Sequence, residues 1–205
     1  MKINKLNACL CFGALFLFAA KVNSAVLELE SRLGGLAFYD PNLDITWAAN
    51  ATTNGVIDTW ENQNAWVEGF SLGGVSGWRL PSADVNGDGV VVNCFGGGVV
   101  GCEDNEMGYL YWEEGITPTT PGPFSNVVTS DRYWTSTESA TISIAAWYFY
   151  FYDGNQIENQ KWSTHYAWAV RPGDIGSVPI PATVWLFASG LVGLIGFSRC
   201  TQKRT

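Results

Sequence analysis

The segment from Asp84 to Gly89, which reads DVNGDG, holds the residues whose types and spacing most clearly suggest chemistry. Asp84, Asn86 and Asp88 place three oxygen-bearing side chains at alternate positions, and a glycine follows. Carboxylate and amide oxygens are ligands that Ca²⁺ prefers, and glycine permits the sharp turn that gathers them round one ion. The segment therefore predicts a calcium site, provided that other oxygens complete the coordination.

The rest of the ligand set has to come from outside these six residues. In an EF-hand loop counted from Asp84, the twelfth position supplies a bidentate acid, but here it is Phe95, which excludes a full EF-hand. The remaining candidates are the carbonyl of Val90 and a carboxylate of Glu103 or Asp104. The alternative is a simple turn, in which Asp and Asn side chains bond to their own backbone and the glycines adopt positive φ.

Two cysteines, Cys94 and Cys102, decide whether the distant acids can return to the loop. The glycine-rich segment CFGGGVVGC between them is flexible enough to bring their Cα atoms within the roughly 4.4 to 6.8 Å that a disulfide requires. An exported chain also meets the oxidising conditions in which disulfides persist. We predict a disulfide, with a pair of free buried thiols as the alternative.

Residues suited to catalysis are few. His165 is the only histidine, and because it lies in the aromatic run HYAWAV we interpret it as structural. A glycosidase needs two carboxylates about 5 to 9 Å apart, and the sequence singles out no such pair. Nine tryptophans between Trp47 and Trp168 are expected mainly in the core, although exposed ones would suit stacking on sugar rings. We therefore expect no enzymatic activity.

The charge distribution restricts the partners of the protein. All nineteen acids lie between Glu28 and Asp174, where there are only five bases, so this part of the chain has a net charge of −14. A field of that sign repels phosphate and sulfate polymers. Nucleic acids and sulfated glycans are therefore not expected as ligands.

The two ends of the chain are interpreted as targeting segments. Residues 1–25 join a basic start to an apolar run and small residues, which predicts a secretory signal peptide, with a retained membrane helix as the alternative. Residues 182–197 are uncharged and would span about 24 Å as a helix. Basic residues follow, which predicts a C-terminal transmembrane helix with its end in the cytoplasm, and a buried helix is the alternative.

A short motif, VPIPA, precedes the apolar tail. Its residues are Val178, Pro179, Ile180, Pro181 and Ala182. The order of motif, apolar helix and basic end over residues 178–205 resembles the PEP-CTERM family of bacterial sorting signals, in the VPLPA-like variant, with isoleucine where the name-giving form has glutamate. The resemblance implies that an exosortase, a membrane protease, cuts near the motif.

The elements that must position the candidate ligands follow from caps and periodicity. The stretch from Asp58 to Phe70 begins with an Asp and has Glu61 three residues later, a capping box ahead of a helix that ends at Gly69. Residues 104–115 predict a second short helix with acids in its first turn. Strands are predicted by aromatic and β-branched runs at residues 132–137, 145–154 and 165–173. Helices followed by neighbouring strands predict an α+β domain with a mainly antiparallel sheet.

Further motifs between Tyr39 and Gly173 carry a second resemblance. They read YDPNLDITW, LGGVSGWRLPS, DNEMGYLYW, PFSNV, YWTST, AAWYF and YAWAVRPG. Together they resemble the family typified by the C-terminal domain of a bacterial collagen-like adhesin, whose members are similar in fold to C-type lectins. The resemblance implies a loop-rich module for surface attachment or polymer binding. Neither EPN nor QPD, the tripeptides of the C-type lectin sugar site, occurs here, so no sugar-site residue is carried over.

The protein that we expect is an exported binding module of the cell envelope or extracellular matrix, with residues 26–177 as a C-type-lectin-like domain. Its expected partners are a polysaccharide or a surface protein, an exosortase-type protease, and the membrane through the C-terminal helix. Calcium is the expected cofactor. The alternative is an envelope enzyme such as a glycan hydrolase.

Overall fold

Seven strands and two α-helices form the part of the chain that the computed structural model describes, residues 29–94 and 101–176. The strands are β1 (Glu30–Arg32), β2 (Ala37–Asp40), β3 (Ile45–Ala48), β4 (Tyr133–Glu138), β5 (Ala145–Tyr150), β6 (Asn155–Gln160) and β7 (Val170–Pro172). The helices are α1 (Trp60–Glu68) and α2 (Glu106–Trp112), and short 3₁₀ turns lie at Leu33–Gly35 and Cys102–Asp104. The predicted α+β class is confirmed.

The strands form two antiparallel sheets. The first has the order β1-β2-β3-β7, so the strands nearest the two ends of the domain lie in one sheet. The second has the order β4-β5-β6, with Trp147 of β5 directly opposite Glu158 of β6. This second sheet carries the aromatic runs that the sequence predicted as strands, whereas the predicted strand at residues 165–173 is reduced to β7 and isolated bridges.

Large aromatic side chains fill the hydrophobic core, to which both sheets contribute residues. Trp47 and Trp168 are fully buried with ring centroids 5.0 Å apart, and Phe124 packs edge-on against Trp168 at the same distance. Such edge-to-face pairs add to the free energy gained from area burial alone. Of the nine tryptophans considered, Trp162 is the one exposed residue, at 58 %, which agrees with the expectation that most are core.

Helix α1 begins one residue later than the capping box predicts. Thr59, not Asp58, is the N-cap, and its side chain accepts a hydrogen bond from the backbone N–H of Asn62. Asp58 instead accepts from the backbone N–H of Thr59 and from the side chain of Asn62, so it supports the cap from outside. The helix ends at Glu68, and the predicted Gly69 is its C-cap.

Helix α2 is fixed at its start by buried polar contacts. Asn105 is its N-cap, and its side chain accepts from the backbone N–H groups of Met107 and Gly108. Glu106, only 4 % exposed, forms a two-pronged ion pair with Arg79 of the GWRLP motif, with N–O distances of 2.6 and 2.7 Å. A Cβ atom on Gly108 would lie 2.0 Å from the carbonyl oxygen of Cys102, so only glycine fits there.

The predicted targeting segments, residues 1–25 and 178–205, lie outside the described residues. Among the helices of residues 29–94 and 101–176, none has the length and apolar character that crossing a bilayer requires.

Candidate calcium loop and adjoining groove

The loop between Ser82 and α2 is tied to the second sheet by one buried side chain. Gln156 of β6 is fully buried, and its amide donates to the carbonyl of Val92 and accepts from the side chain of Asn105. Its backbone carbonyl also accepts from the N–H of Cys94. Because Asn105 caps α2, the same contacts hold the loop, the sheet and the helix start together.

A disulfide closes the loop near its end. Cys94 and Cys102 are bonded, with their Cα atoms 5.9 Å apart, in agreement with the sequence-based prediction. Both cysteines are buried. The 3₁₀ turn at Cys102–Asp104 follows directly, so the bridge returns the acids of this turn to the DVNGDG segment.

The DVNGDG segment forms a compact turn through its own polar side chains. The carboxylate of Asp84 accepts hydrogen bonds from the backbone N–H groups of Asp88, at 3.2 Å, and Gly89, at 3.0 Å. Asp88 in turn accepts from the N–H of Val90 at 2.7 Å. Gly87 and Gly89 both have positive φ, at 70° and 77°. The features of the simple turn are therefore present, and they also hold the carboxylates in place.

Three carboxylates converge at this turn. Oxygen atoms of Asp84, Asp88 and Asp104 lie within 4.8 Å of one another. Two oxygens bound to one calcium ion at about 2.3 to 2.6 Å lie at most about 5 Å apart, so these spacings fit a shared ion. One oxygen of Asp104 also accepts from the N–H groups of Val85 and Asn86, which fixes its position beside the turn.

The other predicted ligands are arranged differently. The side-chain oxygen of Asn86 accepts from the N–H of Asp88, at 2.8 Å. A carboxylate oxygen of Glu103 accepts from the N–H of Gly101, at 2.9 Å, and Glu103 is not among the three converging acids. Of the two candidate returning acids, Asp104 is thus the one that meets the turn. Val90 lies at the exposed end of the segment, and its exposed fraction is 62 %.

An open groove runs beside the loop. It has a volume of about 430 Å³, and we call it the Trp147 groove. Its walls include Asp84, Val90, Thr137, Glu138, Trp147 and Glu158, drawn from the loop, from the end of β4 and from the facing strands β5 and β6. The groove therefore combines three carboxylates with an aromatic side chain, in a volume typical of ligand sites.

Two of the acids that line the groove, Glu138 and Glu158, differ in whether a basic residue pairs with them. Glu138 forms an ion pair with Lys161, at 2.6 Å, and Lys161 also lies over the ring of Trp60. For Glu158, the described residues provide no salt bridge and no hydrogen bond to its carboxylate. Glu158 thus lines the groove with no lysine or arginine of the described ranges paired to its carboxylate.

A second pair of carboxylates lies elsewhere, at the turn between β2 and β3. Asp40 is fully buried, and burial raises its pKa. Burial, together with the charge of Asp40, raises the pKa of Glu114 to about 7. Asn42 joins the pair, because its backbone N–H donates to Asp40 and its side chain donates to Glu114. The remaining oxygen of each carboxylate is buried and has no hydrogen-bond partner, although the Trp47 indole approaches Asp40 closely enough to oppose the rise of its pKa.

His165 is held as a structural residue. Its ring is buried between Trp134 and Tyr148, and its two nitrogens lie 2.8 Å from the carboxylate of Asp131 and 3.1 Å from the amide of Asn159. Burial lowers the pKa of His165, and the hydrogen bond to Asp131 opposes this effect. Within the described ranges no hydroxyl or thiol bonds to the ring.

Comparison with known proteins adds no assignment. No protein-family model matches the sequence, and no curated protein is significantly similar to it. We therefore infer the function from the chemistry of the loop and the groove.

The sequence motifs do not single out Trp147, Glu138 or Glu158. Strand β5, which contains Trp147, could be predicted from its aromatic residues. Strand β6 could not, because its polar sequence lacks the alternation of apolar and polar residues that marks a strand. Residues so far apart in sequence are brought together only by the pairing of β4, β5 and β6.

Proposed function

We propose that this protein is an exported binding module that attaches to polysaccharide in the cell envelope or extracellular matrix, with calcium ordering the wall of its binding groove. The observation that carries the proposal is the position of Asp84, which belongs both to the three converging carboxylates and to the Trp147 groove. An ion at the loop would therefore stabilise one side of the ligand site.

Calcium suits the loop for electrostatic reasons. Asp84, Asp88 and Asp104 bring three negative charges within 4.8 Å, and no lysine or arginine lies between residues 80 and 131. Like charges at this spacing repel unless a cation or a proton compensates them. Extracellular modules bind calcium with dissociation constants of about 10⁻⁴ to 10⁻³ M, which the millimolar calcium outside cells would fill.

A groove of this composition suits a carbohydrate better than a nucleic acid. Sugars bind to proteins through aromatic rings and through carboxylate and amide oxygens that accept from their hydroxyl groups. The net charge of −14 between Glu28 and Asp174 opposes phosphate and sulfate polymers. A surface protein is the second class of partner compatible with the proposal.

We assign the domain to the C-type-lectin-like class as part of the proposal, on the resemblance of its motifs to the adhesin family. The two short helices and two antiparallel sheets agree with what that resemblance implies. We further propose that the signal peptide exports the chain, and that residues 178–205 anchor it in the membrane until an exosortase-type protease processes the tail.

Glycan hydrolysis is the alternative function, and the carboxylate pair of Asp40 and Glu114 is the observation that bears on it. A pKa of about 7 suits a general acid. However, the oxygen of each carboxylate that lacks a partner is buried, so a glycosidic bond would have no access to it. The binding function is therefore the better supported of the two.

The experiment that tests the function is a glycan array of cell-wall and extracellular polysaccharides, probed with the purified protein in calcium and in chelator. We expect binding to at least one neutral or basic glycan in calcium, and weaker binding in chelator. Absence of binding to every glycan in both buffers, or turnover of a bound glycan, would contradict the proposal.

The sorting proposal has its own test, mass spectrometry of the mature protein from its host. We expect a C-terminus near residues 178–182, because a short apolar span with a preceding motif is a poor permanent anchor but suits recognition. A mature chain that extends to Thr205 would contradict exosortase processing and leave the binding function unaffected.

A further inference from the structure

The Trp147 groove carries an excess of negative charge that a neutral sugar would not use. Asp84, Glu138 and Glu158 all line it, and Lys161, which pairs with Glu138, offsets one of the three charges. Calcium at the loop would engage Asp84. Glu158 is then the carboxylate that remains without a cation beside it in the described structure.

An aromatic side chain lies in the same groove. Trp147 is 7 % exposed, lines the groove and pairs across the strands with Glu158. Its indole N–H donates no hydrogen bond to any described residue and is not sealed from solvent. The Glu158 carboxylate can pair with an ammonium group through a charge-assisted hydrogen bond, and the exposed part of Trp147 adds an apolar contact beside it.

The distribution of acceptors favours a sugar ring over a peptide side chain. The three carboxylates come from different walls of the groove, namely the loop, β4 and β6. The volume of about 430 Å³ is larger than a single alkyl chain needs. A hexosamine presents one ammonium and several hydroxyl donors around a rigid ring. A lysine side chain presents one ammonium at the end of a flexible chain, which costs more entropy to immobilise.

We propose that the Trp147 groove binds an amino sugar with a free ammonium group, as found in a polysaccharide whose hexosamine units are not acetylated, and that Glu158 pairs with this ammonium. The inference rests on the proposed polysaccharide-binding function and specifies its ligand class. It assigns Glu158 as the residue that selects the charged sugar over its N-acetylated form.

Isothermal titration in calcium, at about pH 6 where a primary amine is protonated, tests the inference with three probes. These are the hexamers of glucosamine, N-acetylglucosamine and glucose. We expect the glucosamine hexamer to bind about tenfold more tightly than either of the others, because a charged hydrogen bond is lost in both. Added salt should reduce this preference.

Two variants locate the effect. Glu158→Gln keeps the shape of the side chain and removes its charge, and we expect it to weaken glucosamine binding about tenfold while leaving the melting temperature unchanged. Glu68→Gln makes the same change at an exposed position of α1 outside the groove, and it should bind like the wild type.

The outcomes separate the inference from the function on which it rests. Equal binding of the acetylated hexamer, or unchanged binding by Glu158→Gln, would overturn the ammonium site while leaving polysaccharide binding intact. A lysine hexapeptide that binds as tightly as the glucosamine hexamer would assign the groove to a basic peptide instead. Failure on the glycan array as well would remove the binding function itself.

Discussion

Calcium stabilisation of the DVNGDG loop can be tested by a substitution that removes charge and keeps the turn. Asp88 contributes a carboxylate to the cluster, and one of its oxygens accepts from the backbone N–H of Val90. An asparagine side chain can accept the same hydrogen bond, so Asp88→Asn preserves the local fold. It removes one of the three negative charges and weakens the calcium site.

The size of the effect follows from the linkage between binding and folding. With a dissociation constant of about 10⁻⁴ to 10⁻³ M, calcium at about 10 mM stabilises the folded protein by about 1.4 to 2.7 kcal/mol. For a domain of this size each kcal/mol raises the melting temperature by about 2 to 4 °C, so the wild type should gain about 3 to 11 °C.

Thermal melts of the full-length protein, in calcium and in chelator, measure this gain. In chelator Asp88→Asn should melt at or above the wild-type temperature, because repulsion among the carboxylates is reduced. In calcium it should melt below the wild type. Asp153→Asn is the matched control, since Asp153 also accepts from the backbone N–H two residues later, at Asn155, but lies outside the cluster.

The change in melting temperature between the two buffers shows whether the three carboxylates bind one calcium ion. If wild type and Asp88→Asn respond equally to calcium, the three carboxylates do not share an ion, and the segment is only a turn. A response lost equally in Asp153→Asn would show that general charge, and not the cluster, controls stability.

Three further predictions concern stability. Reduction of the bridge between Cys94 and Cys102 should lower the free energy of unfolding by about 2 to 3 kcal/mol, measured by urea titration with and without reductant, and ready labelling of both thiols in the native protein would refute it. The raised pKa of Glu114 means that the folded state holds its proton more tightly than the unfolded state, so stability should fall as the pH rises from about 4.5 through about 7. In Glu114→Gln the melting temperature should depend less on pH over this range. An unchanged dependence would contradict the raised pKa of Glu114. Arg79→Met leaves the buried Glu106 without its partner and should cost about 3 kcal/mol in urea titration, the low end for buried pairs, because the Arg79 side chain is 33 % exposed; a loss below about 1 kcal/mol would show that solvent screens the pair.

The sequence predicted those helices and strands that have a distinctive local pattern, such as a capping residue or a run of aromatic residues. The cap and C-terminal glycine identified α1, and the aromatic runs identified β4 and β5. Strand β6 reads NQIENQ, with one apolar residue, and its place in the sheet follows from pairing with β5 rather than from its own pattern. Strand β3 is buried at all four positions, so no alternation marks it.

The candidate site divides in the same way. The cluster of Asp84, Asp88 and Asp104 could be predicted from the sequence. Two of these acids lie in one short motif, and a disulfide that closes a short loop returns the third to it. The Trp147 groove could not be predicted, since its acids come from separate elements that meet only through tertiary pairing. Which returning acid joins the cluster depended on the 3₁₀ turn, which directs Glu103 to the N–H of Gly101.

The most direct test of the central proposal is to observe the groove while a glycan binds. Nuclear magnetic resonance resolves the indole N–H of each tryptophan, and the tightest oligosaccharide from the glycan array serves as the probe, in calcium. We predict that the Trp147 resonance shifts on titration while that of Trp162, exposed and outside the groove, stays in place. A shift at Trp162 with none at Trp147 would contradict the account.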